Sequence, residues 1–354
     1  MRHSVILAIL KIGQAITYIV GMAIVRVGYL NKAIDIYSNM TDPFVRISKE
    51  CVHGVSRNIR QNGKFSAGKQ IRFTTYAEKV KVIVLYRRRC FLKNMSYIAT
   101  SGIDIYQVYN GREKWCKCIA PDSPLQMLVT ERLFLDKGMK DIILYLPPFA
   151  QISKIILADR DELKYFKYKS GKRSISIYGS SISQGCAASR PGLAYFNLLS
   201  RSFDADIYNC AFSEGARGER FVIDNILLKG KYDVVIVEYD HNSPTDEFME
   251  RHLGVYQSIR NHTDVPIIFL SRISGGISNT DEDNVKRISI IQNTLQYVKR
   301  RNDKRVWFIN GDEIVGGRKD LYLVDDRHPN DLGMKLIADA VGAILREKVF
   351  DSDD

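Results

Sequence analysis

The sequence predicts an α/β protein in which a jelly-roll-like β-sandwich domain precedes a three-layer α/β/α domain with a five-stranded parallel sheet. Short segments of alternating polarity run from about residue 68 to residue 168, whereas strand-like and helical segments alternate from residue 173 onward. The length of 354 residues also exceeds that of a usual single domain. With 45% hydrophobic and 26% charged residues, the composition is that of an ordinary globular protein.

The first region contains five strand-like segments. They cover residues 69–77, 78–89, 95–109, 140–149 and 153–158. Several short strands separated by polar breaks within about 100 residues are typical of an antiparallel sandwich. We therefore place the sandwich domain at residues 60–168.

The second region combines five strand-like segments with helical ones. The strands are predicted at residues 173–179, 204–212, 232–239, 265–273 and 305–311, and the helices at residues 191–202, 244–260, 283–301 and 331–348. Strands that alternate with helices form right-handed crossovers, and these build a parallel sheet covered on both faces. We place this domain at residues 172–350.

The N-terminal segment is more apolar than the rest of the chain. Residues 5–25 are interrupted mainly by Lys11 and Gln14. About 20 such residues suffice to span a bilayer, and a lysine near one end can reach the interface. Residues 1–28 are therefore predicted to be either an uncleaved membrane anchor or a helix packed on the protein itself. The first alternative favours a membrane-associated or cell-envelope location over the cytoplasm.

Charge and motifs narrow the range of partners and cofactors. The formal net charge is +12, but Lys and Arg are scattered and form no stripe interleaved with aromatic residues, so nucleic acid is not an expected partner. An acidic polysaccharide or a membrane surface suits the charge equally well. The six cysteines contain no CxxC motif, and neither GxxxxGK[ST] nor HExxH occurs. We therefore expect no metal ion and no cofactor.

Ser180 and Ser181 follow the first strand of the predicted parallel sheet. Gly and Ser are ordinary turn residues, so a simple turn is one interpretation. In open parallel sheets, however, ligand sites form at the carboxyl ends of the strands. A serine at this place is therefore also a candidate nucleophile.

Polar residues suited to acyl transfer follow other strands of the same sheet. The glycine-containing loop 209–219 comes after the second strand, and Asn242 comes after the third. Asp325 and His328 lie in the last loop, three residues apart, which allows the carboxylate to orient the imidazole. Pro329 disfavours a helical conformation at His328 and so keeps this ring on a loop.

Together these residues form a complete set for acyl transfer. A serine hydroxyl becomes a good nucleophile only when a base accepts its proton, and the base works best when a third group orients it. We assign these three roles to Ser181, His328 and Asp325. The oxyanion needs preorganised donors, for which Asn242 and two backbone N–H groups are the candidates.

Neighbouring residues compete for some of these roles. His241 is the main competitor as general base, but its place beside Asn242 favours an orienting or surface histidine. Asp326 is expected in solvent, because only one of two consecutive side chains can face the imidazole. Ser183 stands where a GxSxG motif needs its second glycine, which argues against an α/β-hydrolase.

The ordered motifs resemble those of the SGNH, or GDSL, hydrolases. "YGSSISQG" resembles the first block with Ser181 at the nucleophile position, "NCAFSEG" the second, "YDHN" the third with Asn242, and "DDRHP" the fifth with Asp325 and His328. "SGIDIYQVYNG" resembles the Gly-x-Asp-Leu-Tyr signature of the branch whose members carry an N-terminal β-sandwich, with Ile105 in place of the leucine.

The chain departs from the family pattern in the first two blocks. Ser180 replaces the aspartate of a strict Gly-Asp-Ser triplet, at a position that does not perform the attack. Glu214 occupies the usual place of the oxyanion glycine, and Gly215 follows it. A backbone N–H of either residue can serve as the oxyanion donor.

The third block carries a further departure. Asp240 replaces a glycine, and a carboxylate that faced the site there would oppose a developing oxyanion. An active enzyme is therefore expected to turn the carboxylates of Glu214 and Asp240 outward, or to pair them with cations such as Arg217 or Arg220.

The resemblance implies a serine esterase that hydrolyses short acyl esters, chiefly O-acetyl esters, of a carbohydrate through an acyl-enzyme. The implied site consists of Ser181, Asp325 and His328, with an oxyanion hole formed by Ser181, Glu214, Gly215 and Asn242. Two alternatives stay open: an O-acetyltransferase of polysaccharide assembly that uses the same triad, and a non-catalytic carbohydrate-binding protein. The triad argues against the second, because a binding protein does not need all three residues.

Overall fold

The computed structural model describes residues 2–28, 33–35, 44–109, 112–158, 167–168, 171–230, 232–273 and 281–350. The chain divides into two compact units. Unit 1 comprises Met1–Val45, Lys64–Ser170 and Arg190–Gly192, and unit 2 comprises Arg46–Gly63, Gly171–Ser189 and Leu193–Asp354.

The described part of unit 1 contains nine strands and two helices. The strands are β1 (Ala33–Asp35), β2 (Gln70–Thr75), β3 (Lys79–Arg89), β4 (Ile103–Tyr109), β5 (Arg112–Ile119), β6 (Leu128–Phe134), β7 (Lys140–Tyr145), β8 (Ala150–Ala158) and β9 (Lys167–Tyr168), and the helices are α1 (Arg2–Gly28) and α3 (Tyr97–Ser101). One sheet has the strand order β1-β8-β3-β6 and the other has the order β5-β4-β7-β2-β9. Neighbouring strands are antiparallel.

Both sheets contribute to a single apolar core. Alternate residues of β3, among them Val82 and Val84, meet Ile105 of β4 and Leu144 of β7 in this core. Alternation of this kind buries one face of each sheet. The predicted β-sandwich is confirmed.

Several details of the sandwich differ from the sequence prediction. Strands β1, β5, β6 and β9 were not predicted: β1 and β9 are only three and two residues long, and β5 and β6 carry charged residues that weaken the apolar signal. All four lie at an edge of their sheet. Residues 95–109 were predicted as one strand, but 97–101 form helix α3. Ser96 caps this helix by accepting the N–H of Ala99 on its side chain, and such a cap competes with a strand.

Helix α1 packs on unit 1 through one face. Gln14 Nε2 donates to the carbonyl of Pro124 at 3.2 Å, and the hydroxyls of Tyr18 and Ser153 lie 3.0 Å apart. The remaining surface of the helix exposes the apolar side chains of Ile9, Ile12, Ile16, Ile19, Val20 and Met22. The contacts of Gln14 and Tyr18 are of the kind expected for a helix packed on the protein, one of the two predicted alternatives. Within the described ranges, no helix has both the length and the apolar character needed to cross a membrane.

The described part of unit 2 is a parallel sheet covered by helices. Its strands are β10 (Arg173–Gly179), β11 (Ala205–Ala211), β12 (Val234–Glu238), β13 (Ile267–Leu270) and β14 (Val306–Ile309). Its helices are α2 (Arg57–Asn62), α4 (Ser181–Gln184), α5 (Tyr195–Phe203), α6 (Arg220–Asn225), α7 (Thr245–His262), α8 (Asp281–Arg300), α9 (Gly311–Val315), α10 (Lys319–Tyr322) and α11 (Asp331–Ile344). A π-helical turn, Leu345–Phe350, follows the last helix.

The sheet has the strand order β11-β10-β12-β13-β14, and each neighbouring pair is parallel. Helices α5 and α11 contribute to the core on one face, and α6, α7 and α8 contribute to the core on the other. The predicted five-stranded α/β/α architecture is confirmed. The strand order reverses direction between β10 and β12, and the carboxyl ends of two such strands are where ligands bind in sheets of this kind.

The segment Arg46–Gly63 belongs to unit 2 although it precedes the sandwich in the chain. Ser56 caps α2 by accepting the N–H of Ile59, whose side chain is fully buried in the unit 2 core. The predicted boundary at residue 172 leaves this segment out, because more than 100 residues separate it from the strands that it joins. A chain shortened to begin at Lys64 would lose this part of the core.

Replacing Ile59 with Ala should therefore lower the free energy of unfolding by about 2–5 kcal/mol, because a fully buried side chain leaves a cavity. Urea denaturation measures the change. Val285→Ala, at a side chain that is 68% exposed in the same unit, should change it by less than about 0.5 kcal/mol. Equal effects of the two substitutions would show that the segment is not part of the core.

Candidate active site

The turn after β10 presents Ser181. The strand ends at Gly179, and helix α4 begins at Ser181. Glycine is required at 179, because a Cβ there would lie 2.4 Å from Cβ of Ser183 and 2.9 Å from the carbonyl oxygen of Glu238. The N–H of Ser180 donates to that same carbonyl at 2.7 Å. These contacts fix a sharp turn at the carboxyl end of the sheet.

A hydrogen-bond chain joins the three residues that the sequence predicted as a triad. Ser181 Oγ lies 2.9 Å from Nε2 of His328. Nδ1 of the same imidazole lies 2.8 Å from Oδ2 and 3.0 Å from Oδ1 of Asp325. Ser181 is buried, and the other two side chains are mostly buried. With Nδ1–H donating to the carboxylate, Nε2 carries no hydrogen and can accept the serine proton.

The loop that carries Asp325 and His328 is held by its own backbone. Leu323 and Pro329 form an antiparallel bridge, and Oδ1 of Asp325 accepts the N–H groups of Arg327 and His328 at 3.0 and 2.8 Å. Burial alone would raise the pKa of Asp325, but the hydrogen bonds from His328 and Arg327 outweigh it and hold the pKa below its usual range. The carboxylate therefore stays ionised beside the imidazole.

The candidate oxyanion donors differ in whether they are already engaged. The backbone N–H groups of Ser181 and Glu214 have no hydrogen-bond partner within the described residues. By contrast, the N–H of Gly215 donates to the carbonyl of Phe212 at 2.9 Å. Asn242 Nδ2 donates to the same carbonyl at 2.9 Å, which leaves the second N–H of its amide for another acceptor. Of the two candidates in the second block, the available N–H is that of Glu214.

Sequence profiles of two protein families match the chain. Residues 172–346 match the GDSL-like Lipase/Acylhydrolase family, and residues 32–159 match the N-terminus of Esterase_SGNH_hydro-type, GxDLY. The chain belongs to the SGNH (GDSL-like) esterases. The predicted membership of the branch with an N-terminal sandwich is likewise confirmed. A search of curated protein sequences found no match.

Solved structures with the same fold include several enzymes. A protein described as a GDSL-like lipase from Bacteroides ovatus is 25% identical, with a TM-score of 0.76 over 89% of this chain and 94% of that one. A salicylyl-acyltransferase from a tetracycline biosynthetic pathway is 15% identical, with a TM-score of 0.68 over 90% and 96%. A family two carbohydrate esterase from Clostridium thermocellum, in complex with cellohexaose, is 15% identical, with a TM-score of 0.54 over 80% and 93%.

In this SGNH esterase Glu214 adopts a backbone conformation that glycine adopts more readily than other residues. Its φ is 56°, in the left-handed region, which costs a residue with a Cβ about 1 kcal/mol or more. The side chain is exposed, and the cation that its charge influences is Arg327. The expected pairing with Arg217 or Arg220 is not found in the described part of the chain, where Arg220 pairs with Asp224 at 3.2 Å.

The second carboxylate at a family glycine position, that of Asp240, is buried rather than turned to solvent. Its Oδ1 lies 2.8 Å from a guanidinium nitrogen of Arg287, and its Oδ2 accepts the backbone N–H of Arg272 at 3.1 Å. Arg287 also donates to the carbonyl of Ser243 at 2.9 Å. The charge of Asp240 is therefore neutralised by an ion pair, which was one of the two expected alternatives. The cation is Arg287 of helix α8 and not Arg217 or Arg220.

The two competing side chains of the sequence analysis lie outside the hydrogen-bond chain. Burial, with a contribution from Arg272, lowers the pKa of His241 well below its usual value, and its Nε2 has no partner within the described ranges. Asp326 pairs with Arg327 at 3.0 Å in a partly exposed position. Among the described residues, no group of three or more His, Cys, Asp or Glu side chains could hold a metal ion.

Sequence reasoning missed two buried residues that support the site. Glu238 ends β12 and accepts the hydroxyls of Ser180 and Ser183. Gln184 accepts the N–H of Ser213 at 2.8 Å and so ties α4 to the second block. The available signal for the first was a lone acidic residue at the end of an otherwise wholly apolar strand, "VVIVE".

Asp240→Gly should lower the free energy of unfolding by about 1.5–3 kcal/mol, because it removes one of the two carboxylates that pair with the buried Arg287 and leaves only that of Asp283 at 3.0 Å. Thermal and urea denaturation measure the loss. Glu214→Gly is the matched control, since it restores glycine at the other family position and should change stability by no more than about 1 kcal/mol. If Asp240→Gly is as stable as the parent chain, the ion pair has no structural role.

Proposed function

We propose that this esterase hydrolyses short acyl esters, chiefly O-acetyl esters, of a carbohydrate through an acyl-enzyme. The observation that carries the proposal is the unbroken hydrogen-bond chain from Ser181 Oγ through His328 to Asp325. Serine, imidazole and carboxylate in this order are the arrangement that activates a hydroxyl toward a carbonyl carbon.

The proposed reaction proceeds in two acyl transfers. Ser181 Oγ attacks the ester carbonyl while Nε2 of His328 takes its proton, and Asp325 stabilises the resulting imidazolium. The N–H groups of Ser181 and Glu214, with the amide of Asn242, then hold the oxyanion. The sugar hydroxyl leaves with the proton from His328, and a water molecule deprotonated by the same imidazole releases the acyl group as its acid.

The carbohydrate part of the proposal draws on the family branch. An esterase of family two with the same fold binds cellohexaose. The alternative of an O-acetyltransferase also has a precedent on this fold, since one related structure is a salicylyl-acyltransferase. In that case a sugar hydroxyl, rather than water, attacks the acyl-enzyme. A non-catalytic binding protein would not require the ordered contacts of Ser181, His328 and Asp325.

Ser181→Ala should reduce hydrolysis of 4-nitrophenyl acetate by about a thousandfold or more, because the nucleophile is lost. Ser180→Ala should reduce it by only about tenfold, since this residue supports the turn without attacking. Asn242→Ala should reduce kcat by about a hundredfold through loss of an oxyanion donor. Initial rates and circular dichroism of each variant give the comparison. If Ser181→Ala hydrolyses the ester at the normal rate and Ser180→Ala does so slowly, the nucleophile is Ser180 instead.

Product analysis decides between hydrolysis and transfer. Acetylated xylo- or manno-oligosaccharides are incubated with the enzyme, with and without an unacetylated acceptor, and the products are analysed by mass spectrometry. A hydrolase releases acetate in both cases, and a transferase yields newly acetylated acceptor. Neither product from any oligosaccharide, with 4-nitrophenyl acetate still cleaved, would contradict the carbohydrate part of the proposal.

We also propose that unit 1 associates with an anionic membrane surface through α1. The unpacked face of this helix exposes at least five branched apolar side chains. The positive charge of the chain also lies in unit 1, which has 25 Lys and Arg against 12 Asp and Glu, whereas unit 2 has 27 against 28. Apolar helix faces combined with basic charge favour the surface of anionic bilayers.

The full chain should therefore sediment with phosphatidylcholine vesicles that contain phosphatidylglycerol, and about tenfold less with phosphatidylcholine alone. Ile12→Glu combined with Ile16→Glu should abolish sedimentation, because both side chains lie on the exposed face of α1. Ile98→Glu, at an exposed apolar residue elsewhere in unit 1, is the control and should bind normally. Unchanged binding of the double variant would exclude α1 as the contact.

A further inference from the structure

The turn that carries Ser181 is held by one buried carboxylate. Glu238 is 1% exposed. Its Oε1 accepts the hydroxyl of Ser180 at 2.8 Å, and its Oε2 accepts the hydroxyl of Ser183 at 2.6 Å. Oε2 also lies 3.3 Å from the backbone nitrogens of both serines. The residues on either side of the nucleophile thus converge on a single side chain.

These contacts determine which N–H groups of the turn are engaged. Glu238 accepts those of Ser180 and Ser183, and Oγ of Ser180 accepts that of Ile182 at 3.1 Å. The N–H of Ser181 is left without a partner within the described residues. The arrangement therefore keeps free the one N–H of the turn that is proposed to hold the oxyanion.

The register of the sheet places Glu238 beside the start of the turn. Parallel pairing of β10 with β12 sets Gly179 opposite Glu238. The absence of a side chain at Gly179 lets Ser183 approach the end of the strand closely. Beyond Ser183, the hydroxyl of Tyr195 lies 2.7 Å from Oγ of that serine, so the network continues into the core.

The position of this carboxylate explains the departure at residue 180. An aspartate there would supply a charged acceptor at the N-terminus of α4 directly. Ser180 instead accepts the N–H of Ile182 on its neutral hydroxyl and donates its own O–H to Glu238. The negative charge is present at the turn, but it comes from the neighbouring strand.

We propose that Glu238 is a positioning residue of this esterase, whose carboxylate fixes the Ser181 turn and supplies the charge that position 180 lacks. The proposal rests on the proposed role of Ser181 as the nucleophile. Within the part of the chain that the structure describes, the Glu238 carboxylate accepts hydrogen bonds from Ser180 and Ser183 and none from His328, so it acts on the reaction through these two serines.

The ionisation of Glu238 gives the proposal a distinctive readout. Burial raises its pKa from 4.5 to about 7, although the hydrogen bonds from Ser183 and Ser180 oppose the rise. The folded state thus holds this proton more tightly than the unfolded state does. The contribution of Glu238 to stability is therefore present at acid pH and is lost as the pH rises from about 4.5 to about 7. A glutamine at this position does not titrate.

The test measures how fast a fluorophosphonate probe labels Ser181, because this reaction reports the nucleophile without any sugar substrate. Glu238→Gln should slow labelling about tenfold at pH 8, where the parent carboxylate is charged. The difference should shrink to about twofold near pH 5.5, where the parent is protonated as well. Glu238→Ala should slow labelling about a hundredfold at both pH values, since the serines lose their common acceptor.

A second pair of variants moves the charge. Ser180→Asp alone should be slower than the parent, because two carboxylates then lie together. Ser180→Asp combined with Glu238→Gln should recover the parent rate to within about threefold. Asp303→Asn is the matched control: its carboxylate accepts the hydroxyl of Tyr256 at 2.9 Å just before β14 begins, at the opposite edge of the sheet from the turn, and its labelling rate should equal that of the parent.

The outcomes separate this proposal from the proposed function. A parent chain that the probe does not label, or labels equally in Ser181→Ala, overturns the role of Ser181. If the parent is labelled, a folded Glu238→Ala with a rate within threefold of the parent overturns the role of Glu238. If Glu238→Ala does not fold, the comparison with Glu238→Gln decides. The role of Glu238 is then overturned if the labelling rate of the parent divided by that of Glu238→Gln is the same at both pH values.

Discussion

The pairing of β10 with β12 is the constraint on which the rest of the site depends. It places Gly179 opposite Glu238, so that the turn after one strand rests on the carboxylate that ends the next. Two parallel strands whose connections lead in opposite directions leave an open crevice at their carboxyl ends. The turn fills this crevice with Ser181, and the contacts with Glu238 allow little freedom in where the hydroxyl points.

The other parts of the site are the loop that carries His328 and the loops of the second and third blocks. The bridge from Leu323 to Pro329 closes the loop of His328, and the imidazole on this loop lies within hydrogen-bond distance of Ser181. In the second block, the carbonyl of Phe212 accepts N–H groups from Gly215 and from the side chain of Asn242. One carbonyl therefore joins the second and third blocks and fixes the position of the one relative to the other.

The acidic residues at family glycine positions show two ways of tolerating a charge near a site that stabilises anions. Glu214 accepts the left-handed backbone conformation and leaves its side chain in solvent, where water screens the charge. Asp240 is buried and is neutralised by Arg287 from helix α8. The first solution costs backbone strain, and the second ties the third block to the helix that supplies the cation. Neither requires a change in the hydrogen-bond chain from Ser181 to Asp325.

Much of this protein was determined by its sequence alone. The alternation of strands and helices predicted the parallel sheet, and the ordered motifs around Ser181, Asn242 and His328 predicted the residues that the fold brings to its carboxyl edge. Local patterns suffice there, because period-2 and period-3.6 burial and short loop motifs depend on neighbouring residues. The tertiary structure decided what depends on distant ones. It assigned Arg46–Gly63 to unit 2, paired Asp240 with Arg287 and set Glu238 beneath the nucleophile turn. Each of these contacts joins residues more than 40 positions apart. The residues around a buried charge do not indicate which distant group will neutralise it.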